Sequence, residues 1–110
     1  MTKREEYAIS FRRVKTSYGY DNFTETTNDE NEQIAIHIEN SGKRITELQI
    51  DALEKALNKE KIQEDWGEVM GSQLDIYVQR GTVQIAYTNN EIPIQDFKQL
   101  LEEWLDFITD

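Results

Sequence analysis

The side chains able to do chemistry in this chain are almost all carboxylates. Its 110 residues carry 22 aspartates and glutamates against 12 lysines and arginines, one histidine and no cysteine, for a formal net charge of −10. Carboxylates serve as acid–base pairs, as oxygen ligands for a hard cation, or as a field that attracts basic surfaces. Spacing separates these uses. Asn28, Glu30, Glu32 and Glu39 fall at positions one, three, five and twelve of a calcium-loop frame, but Gln33 holds the sixth position, where glycine makes the sharp turn. Glu102 and Glu103 are adjacent, which on a helix points them about 100° apart, poor geometry for one ion. No metal is therefore expected. No cofactor is expected either, since neither glycine-rich phosphate signature occurs. Without cysteine, and with no serine in a Gly-x-Ser-x-Gly context, no nucleophile announces itself, and His37 reads as a half-exposed strand residue rather than a base. No catalytic residue is assigned.

The carboxylates gather in two places that suit partner binding. Glu64, Asp65 and Glu68 bracket Trp66, and Glu102, Glu103 and Asp106 lie near the end of the chain. An aromatic side chain ringed by charge has the composition of a binding hot spot, in which the indole supplies area and the acids steer a basic partner. The bland alternative has Trp66 closing the core with its acids in water. Charge is also uneven along the chain: residues 1–20 are net +3, residues 21–42 net −6, and residues 62–110 net −8. Arg12, Arg13 and Lys15, followed by Tyr18 and Tyr20, have the types that contact phosphate and bases. Three charges do not offset the whole field, so direct nucleic-acid binding is not expected. Membrane binding is not expected either, because the polar face of the last helix is acidic where surface-seeking helices are basic.

The elements that must position these groups follow from periodicity. Tyr7, Ile9 and Phe11 alternate, predicting a strand over Glu6–Lys15, and Thr16–Glu32 reads as a solvated loop whose Tyr18, Tyr20 and Phe23 either fold back onto the core or extend a hairpin, packing being favoured over ligand contact. Ile34, Ile36 and Ile38 alternate with Ala35, His37 and Glu39, predicting a second strand over Gln33–Glu39. Thr46 and Gln49 have capping-box spacing, with Ile45 and Ile50 as a staple, so a helix is expected to start near Thr46 with Ile50, Leu53, Ala56 and Leu57 on its apolar face. Residues Ile62–Ser72 read as a loop or a short irregular turn of helix. Leu74, Ile76 and Val78, the Arg80-Gly81 pair, and Val83, Ile85 and Tyr87 predict a hairpin. Pro93 then opens a helix with Phe97, Leu100, Leu101, Trp104, Leu105 and Ile108 on one face. The expected fold is one α+β domain over residues 1–110, a two-layer sandwich of order ββαββα with an antiparallel four-stranded sheet and both helices on one face.

The run Ile92-Pro93-Ile94-Gln95-Asp96-Phe97, continuing through Leu100, Leu101, Glu102, Glu103, Trp104 and Phe107, together with small size and acidity, resembles the immunity proteins that bacteria make against polymorphic toxins, and more loosely phage-encoded inhibitors of nucleases. The resemblance implies a non-catalytic inhibitor with one basic, nucleic-acid-acting protein partner, whose active surface is occluded by carboxylates standing in for phosphates. A chain without cysteine, signal-like segment or bilayer-length apolar run is expected in the cytoplasm. The rival readings are a self-associating protein, such as a homodimer, then an enzyme using paired carboxylates, then a divalent-metal protein.

Overall fold

A computed structural model describes residues 2–62, 64–69, 72–85 and 91–109, and gives the backbone alone for Asp65, Gly67, Glu68, Val69 and Ser72. The chain opens with a one-turn helix, α1 (Lys3–Glu6), whose first turn is capped by Thr2: its hydroxyl accepts the Glu5 N–H at 3.3 Å. Strands β1 (Ile9–Thr16) and β2 (Gly19–Thr26) then form an antiparallel hairpin, in register from Ile9↔Thr26 to Thr16↔Gly19. The expected loop over Thr16–Glu32 is thus largely strand. Its alternation is invisible to hydropathy because the half-buried positions of β2 are Asn22, Thr24 and Thr26, polar side chains that face inward. Thr24 donates its hydroxyl to the Ala35 carbonyl at 2.8 Å, which stands in for apolar contact.

Residues 33–39 are not a strand. They lie in the long helix α2 (Glu32–Leu57), preceded by a 3-10 turn (Asp29–Asn31) that Asn28 caps by accepting the Glu30 N–H at 2.9 Å. Ile34, Ala35, His37 and Ile38 are buried together while Ile36 is 37% exposed, a distribution that period two forbids and period 3.6 requires. The buried stripe runs on through Ser41, Gln49, Ala52, Leu53 and Ala56. Gly42, at φ 71° and ψ 170°, kinks it in a conformation essentially restricted to glycine. The expected capping box fails for the same reason. Thr46 and Gln49 are fully buried inside the helix, and Thr46 donates its hydroxyl back to the Gly42 carbonyl at 2.6 Å. The helix ends in a Schellman turn, with Glu60 N–H bonded to Lys55 O and Lys59 N–H to Ala56 O, and Lys59 taking the left-handed position at φ 59°.

The second half builds an antiparallel sheet in the order β3 (Asp65–Val69), β4 (Ser72–Tyr77), β5 (Thr82–Ile85), β6 (Glu91–Pro93). The β4–β5 hairpin matches expectation with a longer turn, since Val78 leaves the strand and Gly81, at φ 70°, closes it by bonding to the Tyr77 carbonyl. Tyr87 lies outside the described residues. Part of the expected loop over Ile62–Ser72 is β3. Pro93 ends β6, and α3 (Ile94–Thr109) begins one residue later with the expected inward stripe of Phe97, Leu100, Leu101 and Trp104.

The chain is α+β, but the expected two-layer sandwich with one four-stranded sheet of order ββαββα is wrong. With residues 33–39 helical, β1 has only β2 to pair with, so the strands fall into two separate antiparallel sheets. The helix pair α2–α3 joins them through one contiguous core running from Ile9 through Ile38 and Leu53 to Ile76, Val83, Phe97 and Trp104. The hairpin is seated by aromatic contacts, Phe11 meeting Trp104 edge-on with centroids 5.0 Å apart and Phe107 at 5.5 Å. Among the described residues no helix is long and apolar enough to cross a membrane.

Candidate protein-binding groove

The hairpin and the first half of α2 enclose an acidic groove of about 320 Å³, lined by Thr24, Glu25 and Thr26 of β2 and by Glu32, Ala35, Ile36 and Glu39 of α2. Glu32, Ile36 and Glu39 stand at i, i+4 and i+7, which puts them on one side of the helix. Glu39 is held over the hairpin, where Oε1 accepts the Thr24 N–H at 2.7 Å. Glu25 pairs with Arg12 at 3.0 Å on the outer face of the hairpin. Among the described residues no lysine or arginine lines the groove. Exposed Ile36 therefore sits between the carboxylates of Glu32 and Glu39, an arrangement suited to the stem and head of an arginine or lysine from a partner, with methylenes on the isoleucine and charge at the rim. Among the described residues, no three or more histidines, cysteines or carboxylates are grouped so as to hold a metal ion.

The residues expected to bind a partner are not brought into one patch. Glu64 is exposed, and Trp66 is half-buried against the core, as the bland reading has it. Asp65 and Glu68 lie on β3 with side chains outside the described residues. Glu102 is exposed and pairs with Lys98 at 3.2 Å. Glu103 turns inward, accepting the Lys3 N–H at 3.0 Å and the Arg4 N–H at 3.3 Å, so it clamps α1 to α3. Its side chain is 17% exposed. Asp106 is exposed at a shallow cleft shared with Thr2, Arg4 and Phe107. Strand β3 forms one edge of its sheet while α3 packs beside β5 and β6, so the two segments stand at different places in the fold.

His37 is fully buried in α2, not half-exposed on a strand. Its Nε2 lies 3.2 Å from Gln49 Oε1 and its ring 5.9 Å from that of Phe97. Burial pushes its pKa down, the Gln49 bond opposing it in part, and a ring with no exposed surface reaches no substrate. Tyr7 donates its hydroxyl to Asp96 at 2.7 Å, and its pKa is raised first by burial and then by that carboxylate. Tyr18 is wholly exposed at the hairpin turn, and Tyr20 and Phe23 are exposed beside it, so these three do not pack back as expected. The groove itself escaped the sequence reading. Its signal, Glu32-x3-Ile36-x2-Glu39, has meaning only on a helix.

No protein-family model matches this chain, and neither a curated protein nor a solved structure matches it.

Proposed function

We propose that this chain is a non-catalytic binding protein that occludes a basic, nucleic-acid-acting partner, in the manner of an immunity protein or antitoxin, and that it does so in the cytoplasm. The observation that carries the reading is the groove between β2 and α2, where Glu32 and Glu39 flank exposed Ile36 and, among the described residues, no lysine or arginine joins the lining. Residues 21–42, which supply the whole groove, hold six acidic side chains and no lysine or arginine, Arg12 of β1 reaching only Glu25 on the outer face. Glu102 and Asp106 on α3 are exposed as well, outside the groove lining, and Glu102 is paired with Lys98. Carboxylates spaced in this way present charge to several basic side chains at once, as phosphates along a strand do.

The test is affinity capture from native lysate at low and at high salt, with wild type, Glu32→Lys and Ile36→Asp as baits. One stoichiometric basic partner, held by wild type and lost both in high salt and with either variant, supports the reading. A partner held equally by all three baits removes the groove from it, and recovery of the bait alone refutes it. Self-association is favoured by one observation, the exposure of Tyr18, Tyr20 and Phe23 on one hairpin. A dimeric mass that Tyr18→Ser and Tyr20→Ser together convert to monomer would establish it.

A further inference from the structure

The hairpin carries a second surface of opposite sign. Thr24 directs its N–H away from β1, to Glu39, so the Phe11↔Thr24 pair is one of the pairs that do not exchange ladder bonds. The same parity holds for Arg13↔Asn22 and Lys15↔Tyr20. The N–H and C=O groups of Phe11, Arg13 and Lys15 therefore point outward from the hairpin. Beyond its ladder with β2, β1 makes no backbone hydrogen bond among the described residues, and it has no second strand neighbour. Helix α2 covers the outer edge of β2, whereas among the described residues no strand pairs with the other edge of β1.

That edge carries basic side chains on an acidic molecule. Arg12, Arg13 and Lys15 fall within four residues, Arg12 being already paired with Glu25 at 3.0 Å. Arg13 is held over the Phe107 ring at 5.0 Å and donates to the Phe107 carbonyl, contacts that leave its charge unneutralised. Lys15 is exposed and forms no ion pair among the described residues. We propose that the β1 edge, from Phe11 to Lys15, takes an extended acidic segment of a partner protein as a third strand. Backbone bonds would supply the pairing, and carboxylates two residues apart would meet Arg13 and Lys15, about 7 Å apart on one face. Exposed Tyr20, paired with Lys15, adds apolar area beside them. A second copy of this chain does not fit, because two antiparallel β1 edges would set Arg12, Arg13 and Lys15 against the same residues. The charges that guard the edge against itself select an acidic strand.

The test titrates the full chain with a fluorescent peptide of alternating glutamate and valine and follows anisotropy. Saturable binding is expected, weakened at least about tenfold when the peptide is N-methylated at alternate residues along its edge-facing side. Lys15→Pro, which deletes an outward donor and no ladder bond, should weaken binding similarly, and Lys15→Gln should weaken it less. Glu32→Lys, in the groove, should not weaken it, which keeps this surface distinct from the one proposed above. No saturable binding, equal binding of the N-methylated peptide, or equal binding of a lysine–valine peptide would overturn the proposal. The N-methylated arm decides the matter even if Lys15→Pro fails to fold.

Discussion

Acid should destabilise this protein through one buried imidazole before its carboxylates are fully protonated. His37 has no exposed surface and its folded pKa lies below the ordinary value near 6.5, burial being the main cause. The unfolded chain therefore takes up the proton first. The contribution of His37 to stability is complete above about pH 6.5 and is lost as the pH falls from there towards the folded pKa. Within that window at most one proton is at stake, so the loss is at most about 1.4 kcal/mol per pH unit. Unfolding entropy is about 2.1 cal/mol/K per residue, which for 110 residues gives about 230 cal/mol/K, so each unit should lower Tm by at most about 6 °C. The comparison is with the double variant His37→Leu, Gln49→Met. It removes the titrating ring together with its partner, whose Nε2 makes no hydrogen bond among the described residues. Melting both proteins by circular dichroism from about pH 7.5 to 5 cancels the titrations they share. The difference in Tm should shift towards the variant below pH 6.5, by at most about 6 °C per unit, and a constant difference would refute the argument.

Glu103→Ala should cost about 1–2 kcal/mol in urea denaturation, because it strips the acceptor from two α1 amides, and the amides of Lys3 and Arg4 should exchange faster with solvent. Phe11→Ala should cost about 3 kcal/mol and expose Trp104, read as a change in its fluorescence. Two backbone substitutions should have opposite signs in thermal melts: Gly42→Ala destabilises by at least about 1 kcal/mol because φ 71° with ψ 170° suits glycine alone. Ala8→Gly, at φ 56°, stabilises by about 0.5–1 kcal/mol.

What was legible in the sequence was whatever a single local period decides. Helix α3 shows its inward stripe without ambiguity, and Leu74, Ile76, Val83 and Ile85 report the β4–β5 hairpin because all four are buried. Ile34, Ile36 and Ile38 misled because three residues cannot separate the two periods. Ile34 and Ile38 satisfy both, and β-branched side chains favour the wrong one. The longer stripe that decides for helix, from Ile34 to Ala56, is interrupted by Gly42 and filled with His37, Ser41, Thr46 and Gln49, polar residues that hydropathy counts as exposed. Strand β2 was hidden because threonine hydroxyls replace apolar contact. The groove depended on the α2 assignment, and the role of Glu103 depended on a partner 100 residues away that no local pattern indicates.

The attachment of the N-terminal segment to α3 bears on synthesis. Phe11 finds its aromatic partners in Trp104 and Phe107, and α1 finds its anchor in Glu103 and Asp96, all on α3, far downstream in the chain. At about 5–20 residues per second, the hairpin waits roughly 4–16 s after it is polymerised before its seat exists. During that interval β1 presents an open edge with Ile9 and Phe11 uncovered, the state in which strands pair with the wrong chain. Arg12, Arg13 and Lys15 occupy that edge, so the charges that select a partner in the folded protein also repel identical nascent chains on neighbouring ribosomes.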